Sequence, residues 1–74
     1  QQRRAYQIAA HWFEEAYHRG VPRERRAELV YLTAKSFYLS RRYAEAVPLL
    51  REALPVNKQF EMELRRYLAR ALFL

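Results

Sequence analysis

"YAEAVPLLREAL", from Tyr43 to Leu54, is the stretch on which the fold turns. Its residues Tyr43, Ala46, Val47, Leu50, Ala53 and Leu54 stand at offsets 0, 3, 4, 7, 10 and 11. That spacing places them on one stripe of an α-helix. The same offsets recur upstream in "YQIAAHWFEEAY", at Tyr6, Ala9, Ala10, Phe13, Ala16 and Tyr17. Alanines at matching positions let a second helix approach closely, while the larger residues fill the space beside them. Pro48 falls inside the downstream stretch. It leaves the carbonyl of Ala44 without a helical donor, so a local bend or distortion is expected there, at a cost of about 3 kcal/mol.

Working outward, four helices are predicted. The first runs from about Arg3 to Arg19 and is closed by Gly20, which tolerates a left-handed backbone. His18 and Arg19 lie in its last turn, where positive charge suits the helix dipole. The second runs from Pro22 or Arg23 to Leu39. Ser40 is expected to cap the third, with Arg41 to Ala44 as its first turn. Pro55 closes that helix near Leu54, "PVN" makes a turn, and the fourth helix begins near Lys58. The second and fourth helices echo each other too. Val30, Thr33, Ala34 and Phe37 recur 34 residues later as Leu64, Tyr67, Leu68 and Ala71. The odd helices form one class and the even helices another. Repetition of helix pairs near this period is the signature of a stacked helical array. The expected fold is therefore all-α, an antiparallel helix-pair array of about four helices in one domain, residues 1–74.

Composition agrees and sets limits. Ala, Leu, Arg and Glu dominate, with Gly once and Pro three times, which favours helix. A chain of 74 residues hides only about 60% of its unfolded surface, so a core of this size is marginal without reinforcement. The absence of cysteine excludes disulfides and thiolate zinc sites. The first residue is Gln, so a segment of a longer chain is expected. No signal peptide is visible and no apolar run nears the roughly 18 residues of a membrane span. The net charge of +6 comes almost entirely from arginine, with the pairs Arg3-Arg4, Arg25-Arg26, Arg41-Arg42 and Arg65-Arg66 holding eight of the twelve. Such a balance permits nucleic acid, anionic lipid or an acidic protein segment as partner and selects none of them. Spread along the chain, these pairs also suit solvated helix faces.

Chemistry-bearing clusters are few. There is no Asp, no glycine-rich phosphate loop, and no base for Ser36 or Ser40. His11, Glu15 and His18 share a helical face, but ordinary surface polarity explains them better than a metal site, which needs three or four ligands and a second shell. Trp12 lies one position off the first stripe and is expected to pack on a neighbouring helix or to meet a segment outside the chain. No enzymatic activity, metal or cofactor is expected.

Ala27 to Asn57 resembles one complete tetratricopeptide repeat, with Ala34, Phe37, Tyr43, Ala46, Ala53 and Leu54 at that family's spacings. Residues 3–19 resemble the second half of a preceding repeat, and 58–74 the first half of a following one. The sequence departs from the pattern at Val30 and Thr33, where an aromatic and a leucine are frequent. The odd helices also lie 37 rather than 34 residues apart. More narrowly, "RRAELVYLTAKSFYLSRRYAEAV" resembles the central segment of the mitochondrial and peroxisomal fission adaptors. That resemblance implies a cytosol-facing core that recruits a dynamin-related GTPase or its adaptors, with a membrane anchor after a helix equivalent to "MELRRYLARALFL". The alternative is an unrelated repeat scaffold within a larger assembly, such as a ribonucleoprotein whose phosphates meet the arginines.

In an array of this kind, the first helix of each pair lines the concave side. The resemblance therefore implies a groove of Glu28, Tyr31, Leu32, Lys35, Tyr38 and Leu39, continued by Met62, Arg65, Arg66 and Ala69, and beyond them Leu72 and Phe73. Such a mixture suits an amphipathic or partly acidic peptide. Nucleic acid ranks below it as a partner, and a membrane would be met only through a segment outside this chain. Tyr31 and Tyr38 are open to two assignments, groove anchors or core. Bare apolar residues on the last helix, Leu68, Leu72, Phe73 and Leu74, lead to an expectation of self-association or marginal stability, since helical arrays need polar terminal caps.

Overall fold

The computed structural model describes residues 2–73, without the side chains of Gln2, Arg3, Tyr6 and Tyr17. It has four helices: α1 (Gln2–Arg19), α2 (Arg23–Leu39), α3 (Tyr43–Ala53) and α4 (Glu61–Phe73). Two 3₁₀ turns, Leu54–Val56 and Lys58–Phe60, join α3 to α4. No strand occurs among the described residues. Each helix packs on the next, and α2 also packs on α4.

Residue chemistry accounts for the boundaries. Gly20 ends α1 with φ +92°, the left-handed region expected of it. Pro22 precedes α2, and its carbonyl accepts the Arg25 N–H at 2.9 Å. The end of α2 differs from expectation. Ser40 closes α2 and does not cap α3: its Oγ donates to the Phe37 carbonyl at 3.0 Å. Arg41 follows with φ +66°. The Arg41 N–H meets the Tyr38 carbonyl at 3.0 Å and the Arg42 N–H meets the Phe37 carbonyl at 2.9 Å. This double closure is a Schellman motif with arginine where glycine is usual. Arg42 then precedes α3, pairs with Glu45 three residues on, and lays its guanidinium 4.4 Å from the centre of the Phe37 ring.

The stripe of α3 is buried as its spacing implies. Ala46, Leu50 and Ala53 are fully buried, and Tyr43, Val47 and Leu54 pack against the core. Pro48 lies on the exposed side, as does Ala44. Water can therefore reach the carbonyl that the proline leaves without a donor, and α3 continues through it unbroken. The matching stripe of α1 is less covered: Ala10 is buried, Ala9 and Phe13 are half-buried, and Ala16 is exposed. Tyr6 and Tyr17, the ends of that stripe, lie outside the described side chains.

α2 is the central element. Val30, Tyr31, Thr33, Ala34, Ser36, Phe37 and Tyr38 are all buried. Its neighbours α1, α3 and α4 leave it little open surface, which is the expected setting for a helix without a single apolar face. Thr33 and Ser40 satisfy their hydroxyls locally, Thr33 on the Leu29 carbonyl at 2.7 Å.

The α3–α4 connection is held by Asn57, which is buried. Its Nδ2 donates to the Ala27 carbonyl at 2.9 Å and to the Ala53 carbonyl at 3.1 Å. The turn is thereby tied to the start of α2. Lys58, expected to open the fourth helix, instead opens a 3₁₀ turn, and α4 proper starts at Glu61.

Two substitutions test these closures. Asn57→Ala strips a donor from two carbonyls and should lower stability by about 1–3 kcal/mol. Arg41→Gly removes a left-handed penalty of about 1–2 kcal/mol, offset in part by glycine's extra unfolded freedom, and should raise stability. Urea unfolding midpoints at unchanged slope measure both; a destabilised Arg41→Gly variant would contradict the assigned closure.

Candidate interaction surface

Along the α2–α4 seam, two aromatic stacks flank one carboxylate. Tyr31 of α2 stacks on Phe60 with centroids 4.3 Å apart and planes 12° apart. Tyr38, two turns further, stacks on Tyr67 of α4 at 4.4 Å and 23°, and meets the edge of Tyr43 at 5.6 Å. Between the stacks lies Glu63. Tyr31 Oη donates to its Oε1 at 2.7 Å and Tyr67 Oη to its Oε2 at 2.6 Å. Lys35 Nζ adds an ion pair at 3.0 Å. One carboxylate thus gathers three donors from two helices, the two phenols at charge-assisted distances.

This arrangement shifts every member of the cluster. Burial pushes the Tyr67 phenol up, the hydrogen bond to Glu63 adds to it, and the value reaches about 12. Tyr31 is raised by burial and by Glu63, against the opposing effect of Lys35. Lys35 is raised chiefly by its bond to Glu63. Burial alone would raise the Glu63 carboxyl, but the bonds from Tyr67, Tyr31 and Lys35 outweigh it and hold it below 4.5.

The residues expected to line a groove divide into two groups. On α2, Tyr31 and Tyr38 are only 8% and 9% exposed, their rings covered by Phe60 and Tyr67. Leu32, Lys35 and Leu39 are half-buried and Glu28 is exposed. On α4, Met62, Arg65, Arg66, Ala69, Leu72 and Phe73 are all exposed. They stand at offsets 0, 3, 4, 7, 10 and 11, so they form one stripe of that helix. The opposite face of α4 holds Leu64 and Ala71, buried, with Tyr67 and Leu68 packed against the core. Arg65 pairs with Glu61 at 2.7 Å, whereas Arg66 pairs with no described residue. It is Glu63, on the inner side of α4, that meets Tyr31.

Phe60, Glu63 and Tyr67 were not singled out as one cluster from the sequence. Their only local signal is the i, i+4 spacing of Glu63 and Tyr67. The pairing to Tyr31 spans 32 residues. His11 and His18 are exposed, and no three potential metal ligands converge among the described residues. No described helix is long and apolar enough to cross a membrane. No family model matches the chain, and no curated protein or solved structure matches it either.

The cluster fixes the pH response of the fold. Glu63 is depressed in the folded state, so its contribution is complete above about 4.5 and is lost as pH falls through the lower folded value. Tyr67 is raised, so its contribution is complete below 10.0 and is lost as pH rises through about 12. Glu63→Gln should therefore cost stability near neutrality, with the deficit shrinking in acid, in thermal melts across a pH series. Phenolate absorbance should show Tyr31 and Tyr67 ionising late, together with alkaline unfolding; free titration of all six tyrosines near 10 would contradict the geometry.

Proposed function

We propose that this chain is a non-enzymatic protein-interaction adaptor of the helix-pair repeat type, with its docking surface on the outer stripe of α4. The observation that carries this is the division of α4 into two faces. One is packed and satisfied against α2 and α3. The other leaves Met62 79% and Phe73 88% exposed, with Arg66 unpaired among the described residues between them. A helix face with apolar ends and cationic middle suits an amphipathic segment with acidic residues. Exposed methionine adapts to varied apolar partners, and arginine binds carboxylates in bidentate fashion. The seam of Tyr31, Tyr38, Phe60 and Tyr67 is the stiff base that holds this face in place.

The order of packing supports the repeat reading, since α2 meets both α3 and the next even helix, α4. In its finer form, the resemblance makes the partner a dynamin-related GTPase or one of its adaptors. The setting would be the cytosolic face of a mitochondrion or peroxisome, with membrane attachment supplied outside this chain.

The test uses a labelled synthetic amphipathic helix carrying glutamates beside its apolar ridge. Arg66→Glu and Met62→Ala should each weaken its binding at least about tenfold, as interface anchors do, while leaving the melting curve unchanged. Binding should weaken modestly with salt; a steep decline and preference for single-stranded RNA would favour the phosphate-binding alternative. Equal binding by wild type and both variants would remove α4 as the docking surface.

A further inference from the structure

The α2–α4 seam holds a chemistry that docking does not use. Three tyrosine rings touch in sequence across it. Tyr43 meets the edge of Tyr38 at 5.6 Å, and Tyr38 stacks on Tyr67 at 4.4 Å. Tyr43 is half-buried, so solvent reaches the outer ring of the series, while Tyr38 is buried. The inner ring ends on a base: Tyr67 Oη donates to Glu63 Oε2 at 2.6 Å. A phenol gives up an electron far more readily when its proton can leave at the same moment, because the alternative is a strongly acidic radical cation. A carboxylate already bonded to the hydroxyl takes that proton without any movement of the chain. Tyr31 shares the carboxylate at 2.7 Å but differs in two ways. Its stacked neighbour is Phe60, which is harder to oxidise than a phenol. Lys35 Nζ also stands 3.4 Å from its hydroxyl and 5.6 Å from its ring centre. A cation held against the face of a ring opposes loss of an electron from it.

We propose that Tyr67 is a one-electron oxidation site, with Glu63 as the acceptor of its proton and Tyr43 and Tyr38 as the path from the surface. The co-reactant is a one-electron oxidant, a small radical that diffuses in water. It takes an electron from Tyr43 and is reduced to its anion. An electron then passes from Tyr38 to Tyr43 and another from Tyr67 to Tyr38, so the electron hole moves inward. The Tyr67 O–H bond breaks and its proton goes to Glu63 Oε2. A neutral phenoxyl radical remains, beside a neutral carboxyl that now donates the hydrogen bond. Lys35 loses its counter-charge in this step, but its side chain is 34% exposed and water meets the ammonium. The site is independent of the outer stripe of α4 and of what that stripe binds.

Pulse radiolysis with azide radicals tests it in a Trp12→Phe background, which removes the competing indole. Phenoxyl absorption gives the rate of formation and the lifetime, in water and in deuterium oxide. A long-lived phenoxyl should form, and form more slowly in deuterium oxide. Tyr67→Phe keeps the ring stack and removes the hydroxyl. It should lower the yield of the long-lived radical at least about tenfold, whereas Tyr31→Phe should leave it in place. Glu63→Gln removes the base and should slow phenoxyl formation at least about tenfold, since a positioned proton acceptor contributes that much or more. Tyr43→Phe interrupts the path and should slow formation as well. Should Tyr67→Phe or Glu63→Gln lose its helical circular dichroism, high-field electron paramagnetic resonance of the Trp12→Phe protein replaces it. The radical should then carry a hydrogen bond from an exchangeable proton. A long-lived radical that survives Tyr67→Phe overturns the site, as does one lost with Tyr31→Phe. An unchanged rate in folded Glu63→Gln, or a radical without that hydrogen bond, overturns the proton acceptor. An unchanged rate in Tyr43→Phe overturns the path.

Discussion

Three helices converge on α2, and small residues set how near they come. Ala34 on α2, Ala10 on α1, and Ala46 and Ala53 on α3 are all fully buried. Each is a place where a larger side chain would push a neighbour away. Phe37, Leu50 and Leu64 fill the spaces that remain. With α2 held on these sides, its seam with α4 stacks Tyr31 on Phe60 and Tyr38 on Tyr67. Glu63 then lies where three donors meet it, and the outer stripe of α4 follows from the rotation that puts Leu64 and Ala71 inward.

The cluster around Glu63 joins packing to electrostatics. Burial alone would push a carboxyl in this position up, toward its neutral form. Two phenols and an ammonium outweigh that shift, and the bonds to Glu63 help hold the phenols neutral over a wider range. Among the described residues, no buried side-chain nitrogen or oxygen lacks a hydrogen-bond partner. Satisfied polar groups of this kind fix the register of two helices more narrowly than apolar contact alone, because an alternative register would strand them.

The periodic parts of the molecule were legible in its sequence, because a helical stripe is a local property. The positions from Tyr43 to Leu54 and from Leu64 to Ala71 bury as their spacing implies. Features that depend on three dimensions were less so. Periodicity identifies a face but not how many neighbours it meets, so Tyr31 and Tyr38 could be assigned to groove or core until the α4 rings covered them. Arg41 occupies a position where glycine is the usual signal, which is why Ser40 was assigned to the wrong helix. Asn57 carries the composition of a turn, and nothing near it indicates the Ala27 carbonyl that it reaches. Glu63 was hidden for the same reason, since one of its partners lies 32 residues away.

The single tryptophan, Trp12, sits on the helix that rests against α2 from one side. Segments with few packed neighbours open at lower free energy than the body they lean on. Detachment of α1 would leave the α2–α3–α4 contacts in place, including both aromatic stacks. Indole fluorescence would then follow the departure of one helix, whereas far-ultraviolet dichroism would follow the loss of all four. The two signals should separate during denaturation, with the indole changing first, so a free energy taken from fluorescence alone would describe a local opening rather than the whole domain.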